Sequence, residues 1–313
     1  MPHALSTPLR LLGSALLVCA AALAVPAHAA LPTAKVKLDL RDNTGARIDA
    51  RVSAKVEALG TWFPTTRDDA NVAHAGYAYP PSLGTLVLPQ GWITMVTSRG
   101  PEWTADTRRY FLRKDTTITV RLSRFYDMRA RGQFASDLHV HSHHDPIELD
   151  IPPATARRIA RAEDLSILHL LDQEYRFKGA PDSISDANNI LYYSYEHRHM
   201  TYGHVVLPGL KQAVDWGCCL APHEAWPLLS DLVPQIAGPD RALFVLAHPV
   251  STDDFELDTR WPGSGYGREY PLLASAGLLD GFDVVSYSNE PHDRWNDWMD
   301  ALSSGTALTP TAG

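Results

Sequence analysis

Beyond residue 30 the sequence has no apolar run approaching the roughly 20 residues a membrane-spanning helix needs, so no helical span is expected there. Cysteine is scarce as well, at three in 313 residues. Cys19 lies in an N-terminal apolar run, while Cys218 and Cys219 are neighbours. Adjacent cysteines bridge each other poorly, which leaves free buried thiols, a strained pair, or a soft metal site with no further cysteine nearby to complete it. No basic stripe is present either: 28 Lys and Arg stand against 36 Asp and Glu, for a formal net charge of −8. That balance argues against nucleic acid and anionic membrane as partners. Low-complexity tracts are also missing, and a 45% hydrophobic content over this length provides for one large domain or two ordinary ones.

What is there begins with Arg10, the run LLGSALLVCAAALAV, Pro26 and the small-residue site Ala27-His28-Ala29. This is the pattern of a signal peptide spanning residues 1–29, cut after Ala29, with export to a periplasm or beyond. A lipoprotein reading at Cys19 fits less well, because Val18 stands where a small residue is wanted.

Residues 32–130 read as all-β. Val36, Leu38 and Leu40 alternate, Asp42-Asn43-Thr44-Gly45 turns, and Ile48, Val52 and Val56 alternate again. With GTLVLPQGWITMVTSR, RRYFLRK and TTITVRLSRF this predicts a small β-sandwich of five to seven strands. From 131 to 313 the grammar changes to strand-like and helix-like segments in alternation: SDLHVH, PPATARRIARAEDL, SILHLLD, ILYYSYE, GHVVLPG, RALFVLAHP, YPLLASAG, GFDVVSYSN and RWNDWMDALSSG. This is α/β order, with polar residues gathered at the C-terminal ends of the β-runs, where α/β barrels carry their chemistry.

The densest of these ends is SDLHVHSHHD, residues 136–145. His139 and His141 are two apart, and a strand has period two, so both imidazoles leave on one side and suit a divalent first-row metal. Asp137 shares that side. His143 shares it only if the strand continues past the turn implied by Asp145-Pro146, and His143 and His144 otherwise read as supporting or proton-transfer groups. Asp172, Glu196, His204 and His248 recur at other strand termini, and Asp283 lies inside FDVVSYSN. Each alone reads as a cap or turn residue, but four together are hard to explain that way. His169, inside LHLL, reads as a core histidine. Arg198, Tyr202 and the Gly- and aromatic-rich loop DFELDTRWPGSGYGREYP are candidates for substrate contact.

At these residues the chain resembles the polymerase and histidinol phosphatase (PHP) superfamily, whose first motif reads DLHxHS. The junction LSRFYDMRARGQFASDLHVH is most similar to the carbaryl hydrolase (CehA/McbA-type) branch. The resemblance implies a distorted (β/α)7 barrel after the β-sandwich, with His139 and His141 as first-motif ligands and Asp172 as the second-motif acid. There many members read Asp-His, whereas this chain has Gln173, a poor metal ligand. Glu196, which can bridge metals, His204, His248, Asp283 and Asn289 fall on later motif positions. The last motif is expected beyond Gly313, so the barrel reads as incomplete at its C-terminus. The implied cofactors are two or three divalent ions (Zn, Mn or Fe).

The implied reaction is hydrolysis of a small-molecule ester, carbamate or amide by metal-activated water. A PHP-type phosphoesterase is the alternative, and an exported binding protein with a catalytically inactive second half is the alternative from another class. Oligomeric state is left unassigned.

Overall fold

A computed structural model describes residues 31–64, 76–144, 149–171, 176–199, 203–212, 228–236, 242–247 and 269–285, together with 298–299, 302–303, 305–306 and 308–312. Thr33–Gly313 form one compact unit. In its first half β1 (Thr33–Asp42), β2 (Arg51–Val56), β3 (Thr61–Phe63), β4 (Thr85–Pro89), β5 (Gly91–Ser98), β6 (Trp103–Thr104), β7 (Asp106–Leu112) and β8 (Thr116–Arg124) make two four-stranded sheets, ordered β4-β1-β8-β6 and β3-β2-β5-β7. The period-two pattern does what it should. Ala34, Val36, Leu38 and Leu40 of β1 and Ile118, Val120 and Leu122 of β8 are buried while the residues between them face outward.

The second half departs from the expected (β/α)7 barrel. Strands β9 (Ser136–His141), β12 (Ile167–Leu171) and β13 (Ile190–Ser194) form a small parallel sheet ordered β13-β12-β9, with the two-stranded β10 (His143–His144) and β11 (Leu149–Asp150) beside it in sequence. Strands β14 (Glu196–His199), β15 (Gly203–Val206), β16 (Val245–Ala247), β17 (Gly281–Val285) and β18 (Thr309–Ala312) form a second, separate sheet. Its pairs β14/β15 and β15/β16 are antiparallel, and only β16/β17 and β17/β18 are parallel.

A closed parallel barrel needs a crossover after every strand, and a crossover takes a dozen or more residues. Only Tyr195 separates β13 from β14, and only residues 200–202 separate β14 from β15. Segments that short turn the chain back on itself instead. Among the described residues three α-helices occur, α1 (Pro153–Ala162), α2 (Leu229–Ile236) and α3 (Tyr270–Ser275), too few to follow every strand. The helix expected from RWNDWMDALSSG lies largely outside the described residues.

One core cluster spans both small sheets. Leu168, Leu170, Leu191, Val205, Leu246 and Phe282 from the strands, with Phe244 just before β16, meet Ala156 and Ala160 of α1, which lie four apart on one helix face. Pro153 at the helix start needs no N–H partner. At the other end Leu165 N–H bonds Ala160 O at 2.9 Å and Asp164 N–H bonds Arg161 O at 3.3 Å, the two hydrogen bonds of a Schellman cap. The left-handed position of that cap usually takes glycine; here it is Asp164, at φ 56°.

The carboxylate explains the choice. Asp164 accepts from Arg99 at 2.9 Å, from Trp103 Nε1 at 2.8 Å and from Arg124, all three in the first half of the chain, and its side chain is 3% exposed. Arg51 with Glu163 at 3.1 Å and Arg161 with Asp49 at 3.1 Å extend the same junction. The two halves touch closely here: a Cβ on Gly100, at φ 64°, would lie 2.1 Å from the backbone oxygen of Glu163. Gly100→Ala therefore meets both backbone strain and a steric clash. We expect it to lower the melting temperature by several degrees in a calorimetric scan, and the outward-facing Gly132→Ala, with nothing near its Cβ, to lower it by less.

Candidate metal centre

Strand β9 delivers the first donors. It pairs with β12 as Leu168 with Asp137 and Leu170 with Val140, so β9 carries one extra residue opposite His169. A bulge of this kind re-aims side chains. The His139 and His141 rings lie 5.1 Å apart by centroid, and their Nε2 atoms are 3.2 Å apart. Glu196, the first residue of β14, reaches them from the second sheet. Its Oε1 is 3.4 Å from His139 Nε2 and its Oε2 is 3.3 Å from His141 Nε2. Donor atoms of these three residues all fall within 4.8 Å of one another.

Those spacings suit a shared ion. Two ligand atoms each ~2.1 Å from a metal and subtending 90–110° are themselves ~3.0–3.4 Å apart. The nitrogen–nitrogen and nitrogen–oxygen separations at His139, His141 and Glu196 occupy that range. Two imidazoles and one carboxylate are a donor set for zinc, manganese or iron.

Supporting groups hold the donors in place. His139 Nδ1 lies 3.5 Å from Asp283 Oδ2, on β17, and Thr311 Oγ1, opposite Asp283 in the β17/β18 register, donates to Asp283 Oδ1. A carboxylate on the far nitrogen of a ligating histidine fixes its ring and tautomer. Glu196 is held at both oxygens: His204 Nδ1, from β15, is 2.9 Å from Oε1, and Arg198 Nε donates to Oε2 at 2.6 Å. Arg198 Nη2 also comes within 3.3 Å of His141 Nδ1. The Glu196 and Asp283 side chains are 3% and 1% exposed, so these contacts are made in a largely dry setting.

Burial by itself would lower the His139 pKa, but the Asp283 and Glu196 carboxylates outweigh it and raise it to about 9. Asp137, whose Oδ1 accepts the His139 backbone N–H at 3.1 Å, has its pKa raised, chiefly by desolvation, with a further push from the Asp283 charge.

The sign for the metal-free chain follows. A folded-state pKa raised above the ordinary 6.5 gives stability that is complete below pH 6.5 and lost as pH climbs through about 9. Metal binding runs the other way, since the ion must displace that proton. Divalent-metal affinity, measured by competition with a chelator of known strength, should thus rise by close to tenfold per pH unit between pH 7 and 8.5 and level off above 9.

The expected site residues sort into three groups. His139, His141, Glu196, Asp283, His204 and Arg198 come together, with Asp137 beside them. His204 and Arg198 meet the Glu196 carboxylate rather than joining the three-donor group. His143 sits on β10, in register with Asp150, and its side chain is outside the described set. Asp172, Gln173, Tyr202, His248, Asn289, Cys218, Cys219 and the loop at 254–271 up to Arg268 also lie outside the described residues. His169 is buried as expected, stacked on Tyr192 and 2.8 Å from Ser194 Oγ, and burial lowers its pKa to about 4. Sequence reasoning missed Thr311, for which no local signal exists, because only the β17/β18 pairing brings it to Asp283.

No family model and no curated protein matches the chain. Among solved structures, the Bacillus anthracis TIE protein aligns at 11% identity over 29% of this chain and 16% of its own, with a TM-score of 0.19. So small and loose an overlap carries no argument about fold or function. No helix among the described residues is long and apolar enough to cross a membrane.

Proposed function

We propose that this chain is a metal-dependent hydrolase acting on an ester, carbamate or amide of a small molecule, exported by its N-terminal segment. The reading is supported above all by the convergence of His139, His141 and Glu196 from two different sheets at ligand-to-ligand spacing. It rests on those side chains and on no fold relationship. A divalent ion bound there supplies an acidified water and an electrophile for the substrate carbonyl.

The chain's own groups do the rest. Asp283 and Thr311 orient His139, while His204 and Arg198 fix the Glu196 carboxylate. Asp137, whose pKa is raised chiefly by desolvation, is placed two residues before the first ligand as a carboxyl group for proton transfer to a leaving group.

Metal analysis of the purified chain, followed by a screen of aryl esters, naphthyl carbamates and p-nitrophenyl phosphate with Zn, Mn or Fe, tests the proposal. Stoichiometric metal with turnover of an ester or carbamate supports it. Stoichiometric metal with turnover of the phosphate alone replaces it with a phosphoesterase, and no bound metal replaces it with a binding protein.

A further inference from the structure

We propose that the open side of the β-sandwich, between the free edges of β7 and β8, is a binding site for an acidic saccharide. β7 is the last strand of its sheet and pairs only with β5, while residues 116–122 of β8 pair only with β1 among the described residues. A cavity of about 470 Å³ opens between these edges, within the ~300–1,000 Å³ typical of small-molecule sites. Arg108, Tyr110, Phe111, Arg113 and Lys114 line it together with residues 116–119 of β8, and no acid is found among the described residues of the lining.

The strand register explains why the sandwich stays open here. Arg108 stands opposite Met95 and Tyr110 opposite Ile93, and directly opposite residues share a face of the sheet. Met95 and Ile93 are buried in the core. Arg108 and Tyr110 therefore take places that a closed sandwich fills with apolar side chains, and the Arg108 side chain is 53% exposed. An inward-pointing charge on an edge strand opposes pairing with a further strand, so the cleft suits a ligand other than an extended peptide.

The charge of the lining selects an anion. Residues 108–114 hold Arg108, Arg109, Arg113 and Lys114, in a chain whose net charge is −8. Asp106 meets Arg108 at 3.0 Å and Glu57 meets Arg109 at 2.6 Å, whereas Arg113 and Lys114, both exposed, have no ion-pair partner among the described residues. Asp115, next in the chain, accepts the Lys35 backbone N–H at 2.8 Å. The Arg113 guanidinium lies 5.0 Å from the centre of the Phe111 ring, and a guanidinium docked on a ring keeps its fork of N–H donors in place for a carboxylate or sulfate. Phe111 is itself exposed, beside an exposed Trp92 at 5.0 Å between ring centroids. Aromatic surface next to a fixed cation suits a ring with an apolar C–H face and an acid substituent, the chemistry of a uronic acid or a sulfated sugar. Sugar hydroxyls both donate and accept, and so match the backbone N–H and C=O groups of the two free edges and the hydroxyls of Tyr110 and Thr116.

Isothermal titration of the whole chain at fixed ionic strength, with tetragalacturonate, a sulfated tetrasaccharide, neutral maltotetraose and tetraglutamate as probes, provides the test and reads nothing from the metal centre. Saturable binding of an acidic saccharide is expected, with maltotetraose silent and tetraglutamate at least tenfold weaker, and the stronger of the two acidic saccharides identifies the acid group as carboxylate or sulfate. The double variant Arg113→Gln, Lys114→Gln should weaken that binding at least tenfold, Phe111→Ser should weaken it severalfold, and Arg113→Lys in place of Arg113→Gln should recover part of the loss. The two cations are exposed, so the double variant should keep the native melting temperature. Three results overturn the proposal: no saturable binding of either acidic saccharide, equal binding of maltotetraose or tetraglutamate, or an affinity that the double variant leaves unchanged, which would place the saccharide elsewhere on the chain.

Discussion

Replacing His139 with alanine should strip the protein of stoichiometric divalent metal and reduce hydrolytic turnover to background, whereas Asp283→Asn should weaken metal binding and leave measurable activity. The contrast comes from position. His139 offers Nε2 to the group formed with His141 and Glu196, and Asp283 touches only its other nitrogen. A group that backs a ligand costs ~10–100-fold in affinity or activity when altered; losing a ligand costs more, because three donors become two. Metal content after exhaustive dialysis and kcat/KM with added metal measure both effects. If His139→Ala keeps its metal and its rate, the site lies elsewhere.

The second large effect is on stability. Asp164→Ala should lower the melting temperature by on the order of 10 °C, since removing one member of a buried charge network costs about 3–5 kcal/mol. The penalty arises from Arg99 and Arg124, partly buried side chains left with their shared carboxylate gone. Asp164→Gly separates two contributions. Glycine accepts φ 56° more readily than alanine and preserves the helix cap, so any loss it shows relative to the native chain reports the charge network alone. A glycine variant as stable as the native chain would mean that the carboxylate contributes nothing net, as some buried ion pairs do.

The sequence carries part of this architecture openly. Period-two alternation placed β1 and β8, and the run from Pro153 defined α1, because those patterns record which residues face a core within one element. The barrel failed for a different reason. Alternation marks a strand but not its neighbour, and pairing is decided by the length of the connections. The six residues between ILYYSYE and GHVVLPG are too few for a crossover, but the break at Tyr195 that makes β13 and β14 separate strands is visible only in the structure, because ILYYSYE reads as one strand. At the site, His139, His141 and Glu196 were readable as strand-end polar residues. The roles of His204 and Arg198 were not, since a hydrogen bond to Glu196 depends on the antiparallel register of β14 and β15.

The Asp164 junction bears on modularity. A change in sequence grammar near residue 131 invites cutting the chain there and grafting the metal-bearing half onto another carrier. Such a transplant would bury an acid whose three partners, Arg99, Trp103 and Arg124, had been left behind. The transferable unit is thus larger than the textual one: β5 through β8 must travel with the metal centre, or the receiving scaffold must present two guanidiniums and an indole N–H in the same places.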